Sequence, residues 1–260
     1  DPLIDLRLFK SPVFSAALIN YLFATFVAFN TFVFTAQYLQ LVLGLSPLQA
    51  GLWTVPMMIA FIVGSNLVPI IVRRVGPEIV ICAGLVLSAI GFVALTQVDS
   101  ALGLARASVV FSFGQAPVFT LTTDMIISAA PPDRAGAASA ISETSSEFGG
   151  ALGIAVLGSI GTAVYRRTVA DTMPSGIPAE AMEVARNTLG GAVAAAEKLA
   201  NPVSEQLLAV SREAFVHSFV IAAVICAVIS IVMAIVTAVM LPRSRTGIPR
   251  DSADQQRADG

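Results

Sequence analysis

From Ser11 to Val72 the chain carries no Asp, Glu, Lys or Arg. A water-soluble domain does not hold such a run. Soluble chains are about 25% charged, whereas this one is 12% charged and 56% hydrophobic. Its mean hydropathy is +0.82. The run is far longer than the ~20 residues that cross a bilayer, and Gly44-Leu45-Ser46-Pro47 supplies a turn to break it. The apolar stretches lack the ~10-residue alternation of a membrane barrel. The fold class is therefore all-α: a polytopic membrane protein.

Apolarity places six spans at roughly 12–38, 47–72, 78–97, 102–129, 137–165 and 213–241. Lys and Arg in short loops gather on the cytoplasmic side. Arg7 and Lys10, Arg73 and Arg74, Arg134, and Arg243 and Arg245 all fall on one side if both ends are cytoplasmic. Arg166 and Arg167 fall on the other side, where they open a long loop. The expected organisation is a cytoplasmic linker (1–11), five spans (12–165), a long outer loop (166–212), a sixth span (213–241) and a disordered cytoplasmic tail (242–260). The loop has helix-forming runs at Pro178–Leu189 and Ala192–Ala200, with Gly190-Gly191 and Asn201-Pro202 as breaks. Interleaved apolar and charged residues predict short amphipathic helices there. The chain begins at Asp1, which reads as a piece of a longer protein.

Glu143 and Glu147 open the fifth span, and no charged residue follows until Arg166. Four residues advance a helix by ~400°, so both carboxylates share a face. An acid at membrane depth costs about 2.5–3.5 kcal/mol and marks ion, proton or substrate pathways when it is kept. Desolvation makes a carboxyl hold its proton, and a nearby cation makes it release it. Glu143 and Glu147 are therefore candidates for proton coupling and cation binding, and Asp124, after Thr122 and Thr123, is a third. The competing reading is a solvated acid at a helix start, favoured by the helix dipole. Ser142, Ser146, Gly149, Gly153 and Gly158 are small residues that let helix backbones meet and fix where the acids point.

The first span is aromatic, and some of its rings suit a cavity for flat cations. Phe26, Asn30 and Gln37 are cavity candidates, as is Trp53, which also fits an interfacial belt. Cys82 and Cys226 lie in apolar spans with neither metal nor disulfide spacing. The chain holds no metal cluster, phosphate-binding Gly loop or nucleophile–base pair, and no basic patch for nucleic acid. No Gly-Lys-Ser/Thr of an ATP-driven pump occurs. An enzyme reading has no support.

The segment Asp133-Arg134-Ala135-Gly136 through Ser142-Glu143 continues into Phe148-Gly149-Gly150-Ala151-Leu152-Gly153-Ile154-Ala155-Val156-Leu157-Gly158. It resembles the motif at the penultimate helix of the fourteen-spanner drug:proton antiporters of the major facilitator superfamily. Gly149, Gly153, Ala155, Val156 and Gly158 match that motif, and Phe148 departs at a Leu position. The Ser-Glu-Thr step and Thr122-Thr123-Asp124 look like the quaternary-ammonium and methyl-viologen efflux branch. Arg73-Arg74-Val75-Gly76 resembles a degraded cytoplasmic loop motif, with Arg73 at the usual Asp and Pro69 at the usual Gly.

The resemblance implies the C-terminal six-helix half of such a transporter, built of two inverted three-helix units. It implies export of lipophilic cations such as quaternary ammonium compounds and dyes, and thus antibiotic resistance, from the bacterial inner membrane. Protons would be the coupling ion and no cofactor would be needed. The expected partners are the lipid bilayer, the cationic drugs and the missing N-terminal helices. Two alternatives stay open: another cargo (metabolite, lipid, peptide or anionic antibiotic), or a membrane interaction protein that uses the long loop without transporting.

Overall fold

The computed structural model describes residues 8–174 and 176–241. Arg7, Arg243, Arg245 and the expected tail lie outside the described residues. Within the described residues, eight α-helices follow in order: α1 (Pro12–Gln37), α2 (Pro47–Val75), α3 (Pro77–Leu95), α4 (Ala101–Ser128), α5 (Ala135–Thr172), α6 (Ala179–Asn187), α7 (Leu189–Ala196) and α8 (Val203–Met240). Six of them, α1 to α5 and α8, are long and apolar enough to cross a membrane. A five-residue π segment, Tyr38–Val42, continues α1.

Local chemistry sets most of the starts. Ser11 caps α1, its hydroxyl accepting from the Phe14 N–H at 3.3 Å, and Pro12 sits in the first turn. Ser46 and Gln49 form a reciprocal capping box at α2: the Gln49 N–H donates to Ser46 Oγ at 3.3 Å and the Ser46 N–H to Gln49 Oε1 at 3.0 Å. Ser100 caps α4 through its own hydroxyl, which accepts from the Gly103 N–H. Between α2 and α3 the backbone turns at Gly76, with φ of +85°, a conformation that L side chains resist. A Cβ there would also stand 3.0 Å from the carboxylate of buried Glu78.

Two boundaries differ from the sequence expectation. The fifth helix runs seven residues past Tyr165, to Thr172, and the last begins at Val203 rather than 213. Arg166-Arg167-Thr168 and Ser204-Glu205-Gln206 are too polar for lipid, yet no Pro interrupts either stretch. Met173 turns extended just before Pro174, and α8 starts just after Pro202. Apolarity marks where a helix leaves the bilayer, not where it ends. The segment outside these helices shrinks to 173–202 and holds α6 and α7. Its break is Thr188, which caps α7 through Gly191, not Gly190-Gly191. Gly191 lies inside α7, where a Cβ would stand 2.7 Å from the Val184 carbonyl.

The helices alternate in direction. The end of α1, the α3–α4 turn, the end of α5 and the start of α8 meet at one end of the bundle. There Tyr38 Oη donates to the Val98 carbonyl at 3.5 Å and Arg212 Nε to the Leu41 carbonyl at 3.1 Å. The α6–α7 pair caps this end, burying Ala185, Leu189, Ala192 and Ala196 against Val169 and Leu207. Phe34 stacks on Phe215 and Phe219 with ring centroids 5.7 and 6.1 Å apart, each contact contributing about 0.5–1.5 kcal/mol. Toward the opposite end, buried Thr237 of α8 donates to Asn20 Oδ1 of α1 at 2.9 Å. Polar pairs of this kind contribute about 0.6 kcal/mol in membranes.

Candidate functional site

The α1–α5 crossing positions the acids. A Cβ on Gly149 would strike Thr25 Oγ1 and the Leu22 carbonyl, and one on Gly153 the Phe26 carbonyl. The two backbones therefore touch, and α5 has one rotational setting. Ser142 is buried, and Ser146 is half-buried. Gly158 faces open space, with nothing within 4 Å of where a Cβ would stand, so it is not a packing glycine; it lines a cavity instead. That setting turns Glu143 and Glu147 to an exposed face of α5. Asp124, near the end of α4, is also exposed.

One turn beyond Glu147, the ring of Phe29 lies over Gly150, where a Cβ would be 3.0 Å from its Cγ. Phe29 is also a wall of an apolar cavity of about 450 Å³ between α1, α2 and α4. Phe32, Phe61, Phe111 and Phe119 with Met57 and Met58 complete most of it. Two polar residues reach it. The Ser112 hydroxyl donates to the Met57 carbonyl at 2.9 Å. Gln115 is 2% exposed, and its Oε1 has no partner among the described residues. Phe29 thus lines this cavity and covers Gly150, one turn along α5 from Glu147.

A second cavity, of about 440 Å³, lies between α1, α5 and α8 under the α6–α7 cap. Asn30 and Gln37, seven residues apart on α1, both line it. The α5 side is Ile154, Gly158, Gly161, Thr162 and Tyr165. At ~100° per residue, Glu143, Glu147, Ile154, Gly158, Gly161 and Tyr165 fall within roughly 60° on α5. One face of one helix therefore carries the acids at one end and this cavity at the other. The first lining residue, Ile154, lies about 10 Å along the axis from Glu147.

Three expected placements change. Phe26 is buried beneath α5 and lines neither cavity, because Gly153 brings the α5 backbone onto it. Trp53 is exposed in the second turn of α2 and touches neither cavity. Arg73 and Arg74 are in the last turn of α2, before the Gly76 turn, and their side chains are exposed. Sequence reasoning missed Gln115; the aromatic residues Phe111 and Phe119 at i−4 and i+4 share its helix face and line the same cavity. It also missed the Tyr165 hydroxyl, which donates to the Ala185 carbonyl at 2.8 Å and ties the cap to α5.

Residues 2–154 match the sequence profile of the Major Facilitator Superfamily. The chain is 36% identical over 217 residues to the multidrug efflux pump LfrA of Mycolicibacterium smegmatis, covering 82% of this chain and 43% of that protein. It is 30% identical over 220 residues to the methyl viologen resistance protein SmvA of Salmonella typhimurium, covering 84% and 44%. The chain thus spans less than half the length of these relatives. Its fold matches the crystal structure of a bacterial homologue of the human lysosomal transporter Spinster, inward-facing and unoccupied. That match has a TM-score of 0.65 at 18% identity, covering 93% of this chain and 51% of that one.

Proposed function

The chain belongs to the major facilitator superfamily, and on that footing we propose that it forms one half of a proton-coupled exporter of lipophilic cations. The observation that carries the reading is the pair Glu143 and Glu147, exposed one turn apart on an apolar span, with Phe29, a wall of an aromatic cavity, packed over Gly150 one turn beyond Glu147. A flat cation needs both features: a carboxylate for its charge and ring faces for its apolar body, each ring worth about 0.5–2 kcal/mol. Relatives named for multidrug efflux and methyl viologen resistance support this class of cargo.

In this reading the cation and the proton compete for Glu143. A proton arriving from outside neutralises the carboxylate and releases the cation. The proton's departure to the cytoplasm restores the charge for the next cargo. Glu147 and Asp124 are the remaining candidates for proton transfer. The bundle end with the α6–α7 cap faces outward, the chain sits in the inner membrane, and helices beyond this chain close the transport path.

The test is ethidium export by the complete reading frame in inverted membrane vesicles, with a protonophore control. Glu143→Gln keeps the shape and removes the charge. Export is expected to be protonophore-sensitive and to fall at least about tenfold in the variant, the equivalent of ~1.4 kcal/mol. Wild-type export by a normally inserted Glu143→Gln protein would overturn the role given to this acid.

A further inference from the structure

Arg73 and Arg74 take no part in the transport reading. Both side chains are exposed in the last turn of α2, and neither makes an ion pair among the described residues. Glu78, the acid nearest in sequence, is 6% exposed, and its carboxylate lies against the Gly76 turn. The end of α2 therefore presents two positive charges to its surroundings.

An apolar groove opens beside them. Both α2 and α3 lie close on α4: a Cβ on Gly64 of α2 would strike the Ala116 side chain at 2.7 Å, and one on Gly84 of α3 the Gly114 carbonyl at 2.6 Å. Away from the Gly76 turn, α2 and α3 meet α4 far more than they meet each other. The gap between them is a groove of about 180 Å³, floored by Phe113 and Pro117 of α4. Its α2 wall runs along one helix face from Gly64 through Val68 and Ile71 to Val75, and every lining residue is apolar.

Length and charge decide what fits. From Gly64 to Val75 the wall is about 16 Å long at 1.5 Å per residue, close to one leaflet of a hydrocarbon layer of about 30 Å. A helix is about 10 Å across and would ride over so narrow a groove, whereas an acyl chain lies within it. The wall ends beside Arg74, which stands about 60° around the helix from Ile71, while Arg73 stands about 160° away. Guanidinium pairs bidentately with phosphate. An arginine at a cytoplasmic helix end strengthens binding of an anionic headgroup about fivefold.

We infer that this groove holds one acyl chain of an anionic phospholipid of the cytoplasmic leaflet, with its phosphate on Arg74. Only the orientation is taken from the export reading, and the site stands whether or not the protein moves ethidium.

The probe is dioleoyl phosphatidylglycerol, with dioleoyl phosphatidylcholine as the comparison without net charge. The purified complete protein, stripped of lipid, is titrated with each in detergent, and native mass spectrometry reads the affinity for the first lipid bound. The wild type is expected to prefer phosphatidylglycerol several-fold. Arg74→Gln is expected to weaken phosphatidylglycerol about fivefold and leave phosphatidylcholine within about twofold. Arg73→Gln, on the far side of the same turn, is expected to leave both within about twofold. Ala83 is exposed and lines the groove on α3, so Ala83→Phe fills it without disturbing the packing beneath. It is expected to weaken both lipids at least about threefold at unchanged gel-filtration volume. Glycerol 3-phosphate in about hundredfold excess is expected not to displace the lipid. Displacement would make this a free-phosphate site and overturn the lipid. Equal loss in the two arginine variants overturns the site in favour of diffuse attraction. A wild type without preference overturns it, and so does unchanged lipid affinity in Ala83→Phe. If Ala83→Phe instead lowers folded yield with lipid affinity unchanged, a helix covers the groove.

Discussion

Gly153 and Gly158 are five residues apart on α5 and do opposite things. At Gly153 any side chain strikes the Phe26 carbonyl of α1, so Gly153→Val must push the helices apart. A loss of about 1–3 kcal/mol is expected, read as a lower melting temperature in detergent and a lower folded yield. Gly158→Ala meets nothing and gains helix propensity of up to ~1 kcal/mol. An equal or higher melting temperature is expected. If the two variants melt alike, α5 does not sit on α1 in this way. Both glycines stand in one small-residue motif, and spacing alone could not separate them. The distinction needs the partner helix, whose carbonyls no motif in α5 announces.

The cap, as an element, depends on a few tethers. Tyr165→Phe removes the hydroxyl that reaches the Ala185 carbonyl, a bond of about 1 kcal/mol. Amide exchange in α6 and α7 is expected to quicken roughly three- to tenfold while α3 and α4 keep their rates; unchanged cap exchange would show that apolar burial alone holds it. The six membrane helices were legible because long charge-free runs admit one structure in lipid. Glu143 and Glu147 were legible because charge is rare there. The cavities were legible in part: Asn30 and Gln37, polar in an apolar span, do line one, but Gln115 looks like an ordinary polar residue until α1 and α2 close around it. The ends of α5 and α8 were hidden too, because polar residues extend a helix in water as readily as apolar ones do in lipid.

For the molecule as a whole, alternation of the helices puts Arg186 of the cap and Gly136 at the start of α5 at opposite ends. With the orientation proposed, Arg186→Cys in intact cells is expected to react with a membrane-impermeant maleimide, and Gly136→Cys only after the membrane is opened. Cys82 and Cys226 lie within membrane helices and stay silent. The reverse labelling pattern would invert the protein. The helices also differ twofold in length: α5 and α8 have 38 residues each and α3 has 19. At 1.5 Å per residue, α5 and α8 are about 57 Å long and α3 about 28 Å, against a hydrocarbon layer of about 30 Å. The long pair has surplus to carry the cap clear of the headgroups, while α3 has none. In a thicker bilayer α3 cannot lengthen, and tilting only shortens its reach. The lipid must then thin around that one helix, at fractions of a kcal/mol per Å of mismatch. Acyl-chain length thus becomes a handle on this bundle, and it pulls first on α3.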